Sequence, residues 1–436
     1  MEAIGPEIVP GLSGCYSAAG VLAKNGKVYF AASNAKQSMS VDPETQNVDM
    51  LPEVEEGHTR SDVVVMAPNG KIYFHATGKR QVLMINPEAN IVQKIGTEEM
   101  AEGKPYTGGV LGSDGKIYFA PVGAWGGKVL VVDPETDNVE AMGPQISTVV
   151  ADSGVLAQNG KIYFVPMSAS RGGAECKVLC IDPQASTVQM IGPDLGGAYN
   201  TPGAVAPNGN IYFAPICAQQ VMRIDPKTNT VETIGPELSK GDWRDNNGGW
   251  HASGVLASNG DVYFAPFSAD RVLRIDTNTE TVEEIGPVLK GGCQYRGNGV
   301  LAKNGKIYFA PYLASKVLCI DSNARTVELI GPKLQTAFSV ELYWAGGQMA
   351  HNGKIYFAPL MAGRVLRVEP ETQTCGFAGP KLFENCQYLY RAEGVIAKSG
   401  RIYFAPDNGY ARLLTIDPQA DYDAVIGAAS TCCSSM

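Results

Sequence analysis

Six aromatic residues share one repeated position, four residues before a glycine that opens a short apolar run. They are Tyr16, Tyr199, Trp250, Tyr295, Tyr343 and Tyr390. The residues that follow four of them are basic or aromatic: His251, Arg296, Trp344 and Arg391. Aromatic faces stack on planar groups and attract cations. The pattern therefore predicts a binding surface for a sugar, a peptide or a planar anion, which Trp125 and Arg171 could extend.

The same tyrosines also have a purely structural interpretation. A tyrosine here can cover the neighbouring unit and hydrogen-bond through its hydroxyl to loop backbone. This explains the repetition well but the adjacent arginines less well. It also does not predict that three consecutive units carry Arg60, Pro105 and Val150 instead. The two interpretations differ in whether the rings are exposed or buried.

The aromatic position belongs to a unit that recurs nine times. The unit reads Gly-Val-Leu-Ala-x-Asn-Gly-Lys-Ile-Tyr-Phe-Ala-Pro, a short loop, then Arg-Val-Leu-Arg-Ile-Asp-Pro-x-Thr-x-Thr-Val-Glu-x-Ile-Gly-Pro. Successive copies of its tyrosine lie 44 to 51 residues apart, close to the length of one propeller blade. These nine tyrosines are Tyr29, Tyr73, Tyr118, Tyr163, Tyr212, Tyr263, Tyr308, Tyr356 and Tyr403.

Turn residues divide each unit into four strands. Asn25-Gly26 and its equivalents lie between two apolar runs, where both residues would tolerate positive φ in a type I′ turn. The following Tyr-Phe-Ala-Pro run ends in proline, which cannot donate to a strand ladder and suits a strand end. The third strand ends in Asp-Pro-Glu-Thr, as at residues 42–45, which favours a type I turn into a fourth strand.

The second strand is apolar on both faces, as in Ile307-Tyr308-Phe309-Ala310. A sheet with one face in water would alternate apolar and polar residues instead. Burial on both faces is what a blade between two neighbours requires, and antiparallel units favour a propeller over a solenoid. We therefore predict an all-β chain, a single β-propeller of nine four-stranded antiparallel blades, although four to eight blades are typical.

The propeller is predicted to occupy residues 1–427, followed by a tail at 428–436. Residues 2–6 look like a fourth strand with no blade before it, and the ninth unit's own fourth strand, at 423–427, is degenerate. We expect residues 2–6 to pair with the ninth blade and close the ring, which hides an exposed edge. The units start near residues 20, 64, 109, 154, 203, 254, 299, 347 and 394.

Strand direction sorts the loops onto two faces. The Asn-Gly and Asp-Pro turns are short and lie on one face, and the connections between blades vary in length and lie on the other. The longest connection runs from Gly235 to Gly254. Because the first strand of a blade is innermost, we expect the six aromatic residues to form an arc around the mouth of the central channel.

The order of these signals resembles the blades of NHL-type propellers and of the streptogramin-lyase-like (virginiamycin B lyase) propellers. There too a short first strand, Asp/Asn-Gly, Ile-Tyr/Trp-Phe/Val and Arg-Ile-Asp-Pro follow one another. The resemblance covers nearly the whole chain. It implies the architecture, whereas activity has to be argued from a site.

The resemblance also raises an enzymatic alternative. Streptogramin lyases are understood to use a metal-assisted acid/base cluster with two histidines one residue apart and a nearby glutamate. This chain contains His58, His75, His251 and His351, none of which forms a His-x-His pair, and His351 lies at a turn on the opposite face. His251 is a candidate acid/base from its position alone.

Calcium-dependent lactonase propellers offer a second comparison, because carboxylates and amides line their channel around one ion. Calcium prefers six to eight oxygen ligands at about 2.3–2.6 Å. The candidates here come from units scattered around the ring, so few are expected to converge on one ion. They are Asp62, Asp152, Asn200, Asn298 and Glu393.

Composition narrows the class of partner. A net charge of -9 argues against a general surface for nucleic acid or anionic membranes, and no stretch approaches the roughly 18 apolar residues of a membrane span. The first residues lack the pattern of a secretory signal. The ten cysteines show no zinc or redox spacing and are expected to be reduced thiols. We expect a soluble, cytoplasmic protein.

The sequence is consistent with two candidate functions. The favoured one is a non-enzymatic binding or scaffold propeller, without a cofactor, whose channel mouth takes a small molecule, a sugar or a peptide segment. The alternative is a metal-dependent lyase or a lactonase-like hydrolase that acts in the same channel. A metal at the mouth, or a histidine and a carboxylate within about 3.2 Å of each other there, would favour the enzyme.

Overall fold

Nine four-stranded antiparallel sheets form the ring of a β-propeller in the computed structural model of the chain. Among the described residues there is no helix, and so none that is long and apolar enough to cross a membrane. The structure describes residues 1–7, 14–53, 63–75, 82–96, 106–121, 127–146, 154–166, 175–199, 202–216, 218–238, 251–290, 292–334, 341–382, 388–408 and 411–420.

The strands of a blade pair in chain order, as hairpin turns between successive strands dictate. Blades 1 to 3 comprise β2 Val21–Leu22, β3 Val28–Phe30, β4 Met39–Val41, β5 Val48–Met50; β6 Val64–Met66, β7 Ile72–His75, β8 Val82–Asn86, β9 Ile91–Ile95; β10 Tyr106–Leu111, β11 Ile117–Pro121, β12 Gly127–Asp133 and β13 Asn138–Ile146. Blades 4 to 6 comprise β14 Val155–Leu156, β15 Ile162–Phe164, β16 Val178–Asp182, β17 Thr187–Ile191; β18 Ala204–Val205, β19 Ile211–Phe213, β20 Val221–Asp225, β21 Thr230–Ile234; β22 Val255–Leu256, β23 Val262–Phe264, β24 Val272–Asp276 and β25 Thr281–Ile285. Blades 7 to 9 comprise β26 Val300–Leu301, β27 Lys306–Phe309, β28 Val317–Asp321, β29 Thr326–Ile330; β30 Gln348–Met349, β31 Ile355–Phe357, β32 Val365–Glu369, β33 Thr374–Ala378; β34 Val395–Ile396, β35 Ile402–Phe404 and β36 Leu413–Ile416, which pairs with β1 Glu2–Ile4.

The ring is closed by β1, as the sequence predicted. This strand runs antiparallel to β36, with Glu2 opposite Thr415 and Ile4 opposite Leu413. The first strands of blades 1 and 9, β2 and β34, contact each other. Gln46 of blade 1 also donates a hydrogen bond to the Tyr403 hydroxyl of blade 9 at 2.6 Å. Residues 423–427 and the tail at 428–436 lie outside the described residues.

The nine recurring tyrosines are buried between blades, at 2% exposure or less. Beside them, the asparagine of the first turn joins seven of the nine blades to the next one, while blades 3 and 9 carry Asp114 and Ser399 at that position. Asn25, for example, donates to the Pro87 carbonyl of blade 2 at 3.1 Å. Equivalent bonds link Asn69 to Pro134, Asn159 to Pro226, Asn208 to Thr277, Asn259 to Ser322, Asn304 to Pro370 and Asn352 to Pro418.

The prediction of a type I′ turn at Asn25-Gly26 is wrong. Only Gly26 has a positive φ, of 85°, whereas a type I′ turn needs positive φ at both central residues. The Gly26 N–H donates to the Ala23 carbonyl at 3.0 Å, and the loop between the two strands spans residues 23–27 instead of two residues. This geometry leaves the Asn25 side chain directed toward the next blade, and the inter-blade bond follows from it.

Blade 6 departs from the others in a buried ion-pair cluster. Most blades carry lysine or arginine just after the first turn, but Asp261 occupies that position here. Arg274 on β24 is 2% exposed, and its guanidinium lies 2.7 Å from Asp261 and 3.0 Å from Asp276. It also contacts Glu283. One arginine therefore pairs with three carboxylates that would otherwise repel one another in this blade.

Candidate functional site

The tyrosines of the predicted arc are buried, so the expectation that their rings are exposed at the channel mouth is wrong. The five that the structure describes are at most 1% exposed: Tyr16, Tyr199, Tyr295, Tyr343 and Tyr390. Four hydroxyls donate to backbone carbonyls 2.8–3.0 Å away, those of Gln37, Lys316, Arg364 and Arg412. The structural interpretation of these rings is confirmed. Trp250 lies outside the described residues.

The backbone around each tyrosine explains the burial. The Tyr343 N–H donates to the Pro311 carbonyl of the preceding blade at 3.2 Å, and Tyr390 bonds Pro359 in the same way. The loop is thereby held along the end of that blade's second strand, and the ring packs into the core between blades. Successive side chains of an extended segment point in opposite directions. The residue after the tyrosine therefore faces the channel.

A cavity of about 400 Å³ lies at the channel mouth and is lined by these next residues. Blades 7, 8 and 9 contribute Arg296, Trp344 and Arg391, while blades 1 and 6 contribute Ser17 and His251 at the same position. The sequence singled out four of these five residues as binding candidates. The structure brings all five to one cavity.

The indole of Trp344 is the centre of this cavity wall. The Arg296 guanidinium carbon lies 3.6 Å from the indole centroid and that of Arg391 lies 4.5 Å from it. Such contacts stabilise by about 0.5–2 kcal/mol each, depending on desolvation. Trp344 is half-buried and therefore holds two cations close together at the edge of solvent.

A second aromatic layer supports the first one and was missed from the sequence. Phe267 lines the cavity, and Tyr312 packs against it at a centroid separation of 5.9 Å. Tyr312 also meets Trp344 edge to face at 5.6 Å, and Arg296 lies 5.4 Å above Phe267. Both residues directly follow the Ala-Pro that comes after a second strand. Aromatic residues at that one offset in blades 6 and 7 were the available signal.

The two arginines differ in their carboxylate partners. The Nε of Arg391 lies 3.6 Å from the carboxylate of Asp407, which is fully buried. Arg296 is exposed and has no carboxylate within ion-pair distance among the described residues. Although the side chain as a whole is exposed, its guanidinium packs against two aromatic rings of the cavity wall, and the resulting desolvation lowers the pKa of Arg296, with repulsion from Arg391 lowering it further. Arg296 therefore has no direct ion pair in the described part of the chain, and of the described carboxylates the more distant Glu341 opposes the lowering of its pKa.

A hydrogen-bonded carboxyl lies beside the arginines. The Asn298 side chain donates to Oε1 of Glu393 across blade 8. Gly346 makes this contact feasible, because a Cβ there would lie 2.6 Å from Oε1 of Glu393 and 3.0 Å from Cβ of Asn298. Burial raises the pKa of Glu393, and the bond from Asn298 partly opposes the shift.

Most of the other predicted metal and acid/base candidates lie outside the described residues and stay predictions. Asp62, Asp152 and Asn200 lie outside the described residues, as do Trp125, Arg171 and His58. Within the described ranges, no three histidine, cysteine or acidic side chains are close enough to hold a metal. His251 lines the cavity but is only 1% exposed, and its acid/base role stays a prediction.

Comparisons with known proteins support the architecture. No protein-family model and no curated protein matches the chain. The Dos1 propeller matches with a TM-score of 0.54 at 10% identity, covering 94% of this chain and 93% of that one. The dihydro-heme d1 dehydrogenase NirN, solved in complex with DHE, matches with a TM-score of 0.52 at 10% identity, over 72% and 66% of the two chains. Virginiamycin B lyase from Staphylococcus aureus matches with a TM-score of 0.48 at 12% identity, over 70% and 95%. The likeness to the first two shows the propeller fold alone.

Proposed function

We propose that this protein is a binding propeller that holds a small molecule or a short peptide segment in the cavity at its channel mouth. The observation that carries the proposal is the placement of Arg296 and Arg391 against the ring of Trp344 in the cavity wall. A cavity of about 400 Å³ falls within the range of small-ligand sites, about 300–1,000 Å³. Two cations on one ring repel each other, and an anionic ligand that binds between them would offset this repulsion.

The rigid cavity wall favours binding of a specific ligand over non-specific association. The tyrosine directly before each of Arg296, Trp344 and Arg391 donates a hydrogen bond from its hydroxyl to a backbone carbonyl, so the cavity wall is ordered before a ligand arrives. Preorganisation of this kind lowers the entropic cost of binding. With a net charge of -9, nucleic acid and anionic membranes are not the proposed partners, and the proposal keeps the soluble, cytoplasmic setting expected from the sequence.

A thermal-shift screen against sugars, organic acids, peptides and lactones, with and without a chelator, tests the proposal. Binding of any hit is then measured by calorimetry on the wild type, Trp344→Ala and Arg296→Ala. We expect each substitution to weaken binding at least about tenfold, equal to about 1.4 kcal/mol. Arg325→Ala removes an arginine on the turn face and is the matched control.

Two results would contradict the proposal. One is a screen without any hit. The other is a hit whose affinity is the same for Trp344→Ala, Arg296→Ala and the control, since the ligand would then bind elsewhere. A hit that depends on the cavity and disappears with chelator would instead favour the metal-dependent enzyme.

A further inference from the structure

Within the described part of the chain, the N–H edges of the two cavity arginines donate no hydrogen bond. Among the described residues, Arg296 makes no ion pair, and the Nε of Arg391 lies 3.6 Å from Asp407, beyond hydrogen-bond distance. The aromatic ring covers guanidinium faces, so what remains available is the edge that carries the N–H groups. A guanidinium edge is a planar fork that matches a carboxylate through two parallel N–H···O bonds.

The charges around the cavity favour a singly charged ligand. Arg296 and Arg391 are opposed by Asp407, by Glu393 and by Glu341, which lies beside the hydroxyls of Tyr312 and Tyr388. Three carboxyl groups therefore lie near two guanidinium groups. A dianion would meet repulsion from these carboxyls at short range, whereas a monoanion would be held by the guanidinium edge of Arg296.

The Glu393–Asn298 pair supplies the other half of the recognition. Oε1 of Glu393 is taken by Asn298, but Oε2 has no hydrogen-bond partner among the described residues. Glu393 and Asn298 line the same cavity as the two arginines. A half-buried carboxyl oxygen without a partner is best satisfied by a hydroxyl or amine donor of a ligand.

We infer that the ligand of this cavity is a small hydroxylated carboxylic acid, with its carboxylate on Arg296 and Arg391 and a hydroxyl group on Glu393. The inference rests on the proposed function and names its ligand class. The guanidinium groups and the Glu393 carboxyl, which line the same cavity, fix the orientation of the ligand. Phe267 lies along one side and contacts its carbon skeleton.

Calorimetry with matched probes tests the ligand class. D-glucuronate, D-gluconate and L-lactate carry the carboxylate and hydroxyls at three sizes; D-glucose lacks the carboxylate, acetate lacks the hydroxyls, and inorganic phosphate carries more charge. We expect at least one hydroxy acid to bind at least tenfold more tightly than glucose, acetate and phosphate. Arg296→Ala should remove at least tenfold of that affinity, and Glu393→Gln should reduce the preference over acetate.

The outcomes separate this inference from the proposed function. If glucose binds as well as the hydroxy acids, or phosphate binds better, the ligand class is wrong while the site stands. The class is also wrong if all three hydroxy acids fail to bind but the screen yields another ligand that depends on Trp344. If no compound binds at all, both proposals fail. Unchanged melting temperatures of Arg296→Ala and Glu393→Gln exclude misfolding as the cause.

Discussion

The buried tyrosine beside the cavity gives the sharpest test of how the loops are held. Tyr343 is 1% exposed, and its hydroxyl donates to the Arg364 carbonyl at 3.0 Å. Tyr343→Phe removes this bond and leaves the carbonyl unpaired, so we expect a loss of about 0.5–1.5 kcal/mol in the free energy of unfolding. Tyr343→Ala also leaves a cavity between blades and should cost about 3–5 kcal/mol.

Urea unfolding followed by circular dichroism measures both free energies of unfolding, and this signal does not depend on the fluorescence of the neighbouring Trp344. Tyr388 is 40% exposed and is the matched control, because Tyr388→Phe removes the same hydroxyl from a more open environment. We expect that change to cost less than about 0.5 kcal/mol. If Tyr343→Ala cost under about 1 kcal/mol, the ring would not be the inter-blade anchor described above, and the burial argument would fail.

Three other perturbations probe the scaffold. Arg274→Met should cost about 3–5 kcal/mol in urea unfolding, because it leaves Asp261 buried without its partner. The double change Asp261→Lys with Arg274→Cys, which reproduces the residues of blade 7, should recover most of the loss, and no recovery would contradict the ion-pair explanation. Deletion of residues 1–7 should lower stability and produce oligomers in light scattering, because β36 would become a free edge; a monomer of unchanged stability would contradict this. Burial raises the pKa of the Cys15 and Cys319 thiols from 9.0 to about 11. Their contribution to stability is therefore complete below pH 9 and is lost as the pH rises toward 11, by about 1.4 kcal/mol per thiol at pH 10. Urea titrations at pH 8 and pH 10 check this, with Cys319→Ser expected to reduce the pH dependence.

The ring, the number of blades and the closing strand could be predicted because several independent sequence features indicate each of them. Every unit carries its own turn signals and a doubly apolar second strand, so an error in one unit does not change the count. The pairing of β1 with β36 followed from a surplus fourth strand at one end and a deficient one at the other.

The orientation of the cavity residues could not be predicted with the same security. Tyr343 and Trp344 are both large and aromatic, and composition does not show which of the two points to the channel. The decision is made by the hydrogen bond from the Tyr343 N–H to Pro311, which is a property of the loop path. The contact between Asn298 and Glu393 likewise depends on an absent side chain, at Gly346, in the blade between them.

Ring closure by β1 also has a consequence during protein synthesis. Ile4 pairs with Leu413, so a ribosome adding about 5–20 residues per second separates the two partners by about 20–80 s. Throughout that time the nascent chain is an open arc whose first blade has no neighbour on one side. The aliphatic face of β2 that later contacts β34 stays uncovered until the last blade emerges. Translation speed and chaperone access near the end of the chain therefore bear on the yield of closed rings.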